Sequence, residues 1–359
     1  MDHGKNNVIC FPSNFRHSTG RMHINYIMPR LENSYLVSEV KEVDSLECTR
    51  NHGFQMTVNG IKCILYVRDR PPLKMKYFVN DDEDEWVKNF YRDDVKFIFI
   101  YQYNIANKED YDEIERTQGV TILPWTYSPS GADYPVENFQ WENKDHKWLA
   151  NSAFNFDKKR PYRLLWKKDL YERDDIYTGE SVDIGVYLDM LKDTKWGLTL
   201  RGTMNNQEKF EHLQDGKCHR EIEYMSFGMP LAYTYIPTYP FPFFPDEHYV
   251  LLRQPSEVHD LKDIDPAPFA QKSSETWEKY FSCNGVVQLL LDMIYDPDYR
   301  ASIYENWEHL VYAKLKNQYK MGALGDLSSL SELADERTEG TKNKKRKEAK
   351  KKEEENEVR

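Results

Sequence analysis

The spacing of apolar and polar positions changes several times along this chain, and each change predicts an element. Residues 1–20 are polar and read as irregular. Between Met22 and Val67 three segments have the composition of strands: HINYIM, NSYLVSEV and FQMTVNGIKCILYV. The last carries Asn59-Gly60 between two alternating runs, which predicts a two-residue hairpin. An acidic run at 81–86 leads into EWVKNFYRD, which reads as a helix. FIFIYQY at 97–103 predicts a buried strand of a parallel sheet. A helix over Lys108 to Thr117 and a strand over Val120 to Trp125 complete a βαβ pattern.

Residues 126–160 are rich in turn formers and lack periodicity, so the division between two α/β halves falls there. Beyond it, 162–166, 197–200, 231–236 and 249–252 read as strands, and 183–191 and 219–227 as helices. From Ser273 onward the pattern is helical. Val287, Leu290, Leu291 and Ile294 form one apolar stripe facing a core. A further helix is expected over roughly 298–320, and apolar periodicity stops beyond Gly325. The expected organisation is residues 1–150, residues 151–325 with the terminal helices, and a solvated charged tail over 326–359.

One strand-to-helix unit gathers the candidate chemistry. WGLTLRG at 196–202 delivers Arg201 and Gly202 to the C-terminal end of a buried strand, where open α/β sheets bind their ligands. Lys217, His219 and Arg220 open the next helix, so cations and free backbone N–H groups coincide at one N-terminus. That combination suits a phosphate. Arg220 and Glu223 share one helix face. The cation suits a diphosphate, and the carboxylate suits a pair of sugar hydroxyls. The plainer reading is an ordinary βα unit with a surface ion pair.

At these residues the sequence resembles a family. Glu223-Tyr-Met-Ser-Phe-Gly228-Met-Pro230 is similar to the E-x-M-x-x-G-x-P segment of GT-B glycosyltransferases, and Arg220 with Glu223 and Gly228 resembles the R-x-x-E-x-x-x-x-G arrangement of exostosin-like enzymes. The likeness runs from about Asp183 to Leu252. The glutamate that many GT-B enzymes carry eight residues before the ribose-binding Glu is Asp215 here. The resemblance implies two Rossmann-like α/β domains facing a cleft, with C-terminal helices. It implies a glycosyltransferase using a nucleoside diphosphate sugar, UDP- or GDP-linked, as co-substrate and a glycan or other hydroxyl acceptor. Residues 1–150 would then be the acceptor side and 151–325 the donor side, with no cofactor and no metal. Arg201, Gly202, Lys217, His219, Arg220 and Glu223 are the expected donor contacts. Asp69, at a strand end after ILYV, is the candidate general base, or else one half of a surface ion pair with Arg68 or Arg70; Arg220 is the other candidate catalytic residue. Tyr235, Tyr239 and the loop FPFFPDEHY either shape a sugar pocket or pack over the sheet.

Two alternatives stay open at this point. One is a non-catalytic nucleotide- or glycan-binding protein of the same fold. The other is a metal-dependent transferase in which Asp82 and Asp84, two positions apart, grip Mg²⁺ or Mn²⁺; acidic clusters also simply favour a helix start. The chain has no G-x-S-x-G, H-E-x-x-H, G-x-G-x-x-G or P-loop pattern, which disfavours hydrolases, dehydrogenases and P-loop enzymes.

Composition adds bounds. With 40% apolar and 14% aromatic residues the body can bury sizeable cores. The net charge of −11 disfavours a general nucleic-acid binder but permits a local cationic pocket. Cys10, Cys48, Cys63, Cys218 and Cys283 are scattered and show no C-x-x-C spacing, so they read as free thiols of a reducing compartment. The sequence contains no apolar run of membrane-spanning length and no secretory signal pattern, so a cytoplasmic setting is expected.

Overall fold

A computed structural model describes the chain at residues 4, 6–13, 20–46, 53–67, 94–101, 108–127, 148–150, 176–178, 191, 194–200, 219–234, 236–237, 239–303 and 305. The first half gives β1 (Asn7–Pro12), α1 (Gly20–Glu32), β2 (Val37–Val43), β3 (Gly53–Val58), β4 (Ile61–Tyr66), β5 (Val95–Ile100), α2 (Lys108–Gln118) and β6 (Thr121–Pro124). These strands form one sheet in the order β2-β1-β3-β4-β5-β6. The pair β1–β2 is parallel, as are β4–β5 and β5–β6, while β3 runs antiparallel to β1 and β4. The hairpin joining β3 to β4 turns at Asn59 (φ 51°) and Gly60 (φ 83°), the left-handed pair that a type I′ turn needs. Asn59 Oδ1 also accepts from the Val8 N–H at 2.8 Å, which ties the turn to β1.

Two sequence expectations fail in this half. Residues 7–12, read as irregular, are β1, with Ile9 and Phe11 fully buried. HINYIM, read as a strand, lies in α1, whose Ile24, Ile27 and Leu31 are all fully buried. Six residues of that composition fit either period. Extending the window to Leu31 reveals the helical spacing, and tertiary packing decides.

The second sheet comprises β7 (Trp148–Ala150), β8 (Ile176–Thr178), β9 (Trp196–Thr199), β10 (Leu231–Tyr233) and β11 (Val250–Leu251), with α3 (His219–Ser226) between β9 and β10. Its order is β11-β10-β9-β7-β8 and every pairing is parallel. The chain steps from β7 to β8 on one side, then returns to β9 on the other. The C-terminal ends of β7 and β9 therefore flank a topological switch point, the usual ligand position in such sheets. Strand β7 lies inside the turn-rich stretch, where three residues are too few to show a period.

Trp196, Leu198 and Leu200 turn to one face of this sheet, against Val258 and Leu261 of a 3₁₀ segment at Pro255–Asp263. Alternation puts Gly197 and Thr199 on the opposite face, under α3. The fold is mixed α/β, with the C-terminal helices α4 (Ala267–Tyr280) and α5 (Cys283–Tyr295) and further helical residues at 297–303, where the helix expected over 298–320 starts. The expected stripe Val287, Leu290, Leu291 and Ile294 is buried, together with Val286, Leu289 and Met293. Ser282 caps α5, accepting from the Gly285 N–H at 3.1 Å.

The C-terminal pair touches both halves: α4 packs on α3 and α5 on α1. Arg30, in the last turn of α1, is 1% exposed. It donates from Nη1 to the Phe281 carbonyl at 2.6 Å, and its guanidinium lies 5.1 Å from the Trp277 ring centre. Asn284 Oδ1 accepts from Ser34 Oγ at 3.0 Å, and Asn59 Nδ2 donates to the Tyr295 hydroxyl at 3.0 Å. No helix among the described residues is long and apolar enough to cross a membrane.

Candidate functional site

Helix α3 returns over the sheet from the C-terminal end of β9, so its first turn sits at the ligand-binding edge. Its stop is set by Gly228, whose φ of 63° is left-handed. The Gly228 N–H bonds to the Met225 carbonyl at 2.9 Å and the Met229 N–H to the Tyr224 carbonyl at 3.1 Å. That is the double bond pattern of a Schellman cap. Pro230 follows, and its carbonyl accepts from Gly197 N at 3.0 Å. The glycine and proline of the family-like segment are thus explained by helix termination alone; the Arg and Glu are not.

Gly197 sets the seat of the helix. A Cβ there would stand 2.6 Å from Tyr224 Cδ2 and 2.7 Å from Cγ, the rooted end of a fully buried ring. Gly197→Ala should therefore destabilise the protein by about 1–3 kcal/mol, since neither the strand nor the ring has room to retreat. Urea unfolding measures this, and an unchanged midpoint would mean that the helix is loosely seated.

Glu221, Ile222, Tyr224, Met225 and Ser226 are all fully buried, so α3 is covered on most sides. Glu223 is the exception among the described side chains of this helix, being half-buried with access to solvent. The Glu223 carbonyl accepts from Ser226 Oγ at 2.6 Å. His219 and Arg220 lie in the first turn of α3, as expected. The structure thus groups His219, Arg220 and Glu223 on one short helix at the switch-point edge. Asp69, Arg201, Gly202, Lys217 and Tyr235 lie outside the described residues, as do Asp82, Asp84 and Asp215. No cluster of three His, Cys, Asp or Glu residues among the described ones is placed to hold a metal ion.

Sequence reasoning missed Glu221. This carboxylate, in the first turn of α3, is fully buried and accepts a short hydrogen bond from the Tyr239 hydroxyl. Negative charge in a first turn complements the helix dipole. Nothing in the local spacing says that Glu221 turns inward while Glu223 turns outward; the partner is 18 residues away. Tyr239 itself is fully buried, with Phe241, Phe243 and Phe281 at ring distances of 4.9, 5.1 and 5.9 Å. Of the two roles open to it, the structure gives it the packing one.

No protein-family model matches the sequence, and no curated protein does. Among solved structures the chain is similar to the pneumococcal O-GlcNAc transferase GtfA in complex with UDP and GlcNAc. Identity is 12% and the TM-score 0.26, over 67% of this chain and 47% of that one. The chain spans about half the length of that structure. A superposition so loose decides nothing about the site, which rests on its own residues.

Proposed function

We propose that this chain is a GT-B-type, exostosin-like glycosyltransferase that moves a sugar from a nucleoside diphosphate sugar to a glycan or other hydroxyl acceptor without a metal ion. One observation carries the reading. A helix bearing Arg220 and the solvent-reaching Glu223 begins at the C-terminal end of the strand that flanks the switch point of an all-parallel sheet. Glu223 accepts from the ribose hydroxyls, a charge-assisted bond. Arg220, with Arg201, Lys217 and His219, stabilises charge growing on the diphosphate as the glycosidic bond breaks, and Gly202 lets the backbone approach it. The cations take the place of a metal. Asp69 on the acceptor side removes the proton of the attacking hydroxyl if the anomeric centre inverts. The donor half is assigned to residues 151–325 and the acceptor half to 1–150, although β7 at the end of the latter stretch pairs into the donor-side sheet. Free thiols at Cys10 and Cys63 support a reducing, cytoplasmic setting.

A nucleotide panel tests the reading. UDP or GDP at 100 times its dissociation constant should stabilise the fold by about 2.7 kcal/mol, seen as a raised melting temperature. The matching nucleotide sugar should be slowly hydrolysed. If no nucleotide shifts the transition and no donor is consumed, the proposal fails.

A further inference from the structure

The strongest unassigned feature is a buried hydroxyl at the end of β9. Thr199, the last residue of β9, is 1% exposed, and its Oγ1 has no hydrogen-bond partner among the described residues. Its carbonyl accepts from the Thr234 N–H at 3.1 Å. A buried hydroxyl without a partner is a standing cost to the empty protein, because water has been removed and not replaced.

Its place in the fold says what would satisfy it. Gly197 lies directly under Tyr224 of α3. Two residues along the strand advance about 6.6 Å, and four residues back along the antiparallel helix cover about 6 Å. Thr199 therefore faces the Arg220 turn, where α3 begins. The backbone N–H groups of a helix's first turn point toward its N-terminus as donors. Glu221, the carboxylate of the same turn, is held by Tyr239. A ligand atom that suits this surround is an anionic oxygen with several lone pairs to share.

We propose that the Thr199 hydroxyl donates to a phosphate oxygen of a diphosphate bound at the N-terminus of α3. The assignment rests on the nucleotide-sugar reading given above and adds a contact to it. A bound phosphate oxygen supplies the partner that the described residues do not, so the residue trades stability for affinity.

The test is Thr199→Val, which keeps the shape and removes the hydroxyl, beside Thr199→Ser, which keeps the hydroxyl. Binding of UDP, GDP and inorganic pyrophosphate is measured by calorimetry on the full chain, and melting is recorded without ligand. The valine variant should melt about 2–4 °C higher when empty. It should bind UDP or GDP about 10- to 100-fold more weakly, while the serine variant binds within a few-fold of the parent. If the parent binds a nucleotide and the valine variant binds it equally well, the Thr199 contact is refuted and the donor site stands. If pyrophosphate binds and is lost in the valine variant while neither nucleotide binds, the contact stands and the nucleotide-sugar reading falls. If the parent binds none of the three, both fall.

Discussion

Replacing Glu223 by alanine, or Arg220 by alanine, is expected to lower sugar transfer by about 10²–10³-fold while leaving the melting transition roughly in place. The two halves of that expectation have separate causes. For Arg220→Ala the rate falls because preorganised positive charge aimed at a breaking bond acts in the transition state, and for Glu223→Ala because the ribose hydroxyls lose the acceptor that orients the donor. The fold survives Glu223→Ala because this side chain reaches solvent, unlike its fully buried neighbours Ile222 and Tyr224. Alanine also preserves the helix. Steady-state kinetics with the donor identified in the nucleotide panel, paired with calorimetric melting, reads both. Full turnover in both variants would remove α3 from the active site, whatever the fold. A large stability loss in Glu223→Ala would instead give that residue a structural role.

The second large effect concerns stability alone. Arg30→Ala should cost about 3 kcal/mol or more, because three contributions vanish together. The Phe281 carbonyl loses a charged donor at 2.6 Å, Trp277 loses the cation over its ring, and a cavity opens at a site only 1% exposed. Arg30→Met fills much of the cavity and should recover part of the loss, leaving the cost of the unbonded carbonyl. Urea titration of the two variants separates packing from hydrogen bonding. A cost below about 1 kcal/mol for alanine would show that the carbonyl finds another donor.

Elements with an uninterrupted local signal were legible in the sequence. The hairpin at Asn59-Gly60 follows from left-handed backbone that few other pairs tolerate. Strand β5 follows from its apolar run, α3 from its cationic start and glycine stop, and α5 from its stripe. Strand β1 hid in a polar neighbourhood because two buried residues, Ile9 and Phe11, are too few to set a period. HINYIM misled because its window was shorter than the repeat that would have exposed it. Strands β7 and β8 have three residues each, and only their neighbours in the sheet identify them.

The site divides along the same line. Spacing alone brought His219, Arg220 and Glu223 to one helix. It could not tell that Glu221 points into the protein toward Tyr239, nor that the Thr199 hydroxyl is buried with no partner among the described residues. Both depend on residues far off in the chain. The role of Gly197 was likewise invisible, since the ring that excludes a side chain there arrives with Tyr224.

The anchoring of α1 by the C-terminal pair has a consequence for synthesis. Arg30 leaves the ribosome 251 residues ahead of the carbonyl it bonds. At ordinary elongation speeds of about 5–20 residues per second, that interval is about 12–50 s. For that time the nascent amino-terminal half carries a helix whose cover does not yet exist. Premature termination before Phe281 would release a fragment with that apolar surface bare, a target for chaperones and proteases and not a working half-protein.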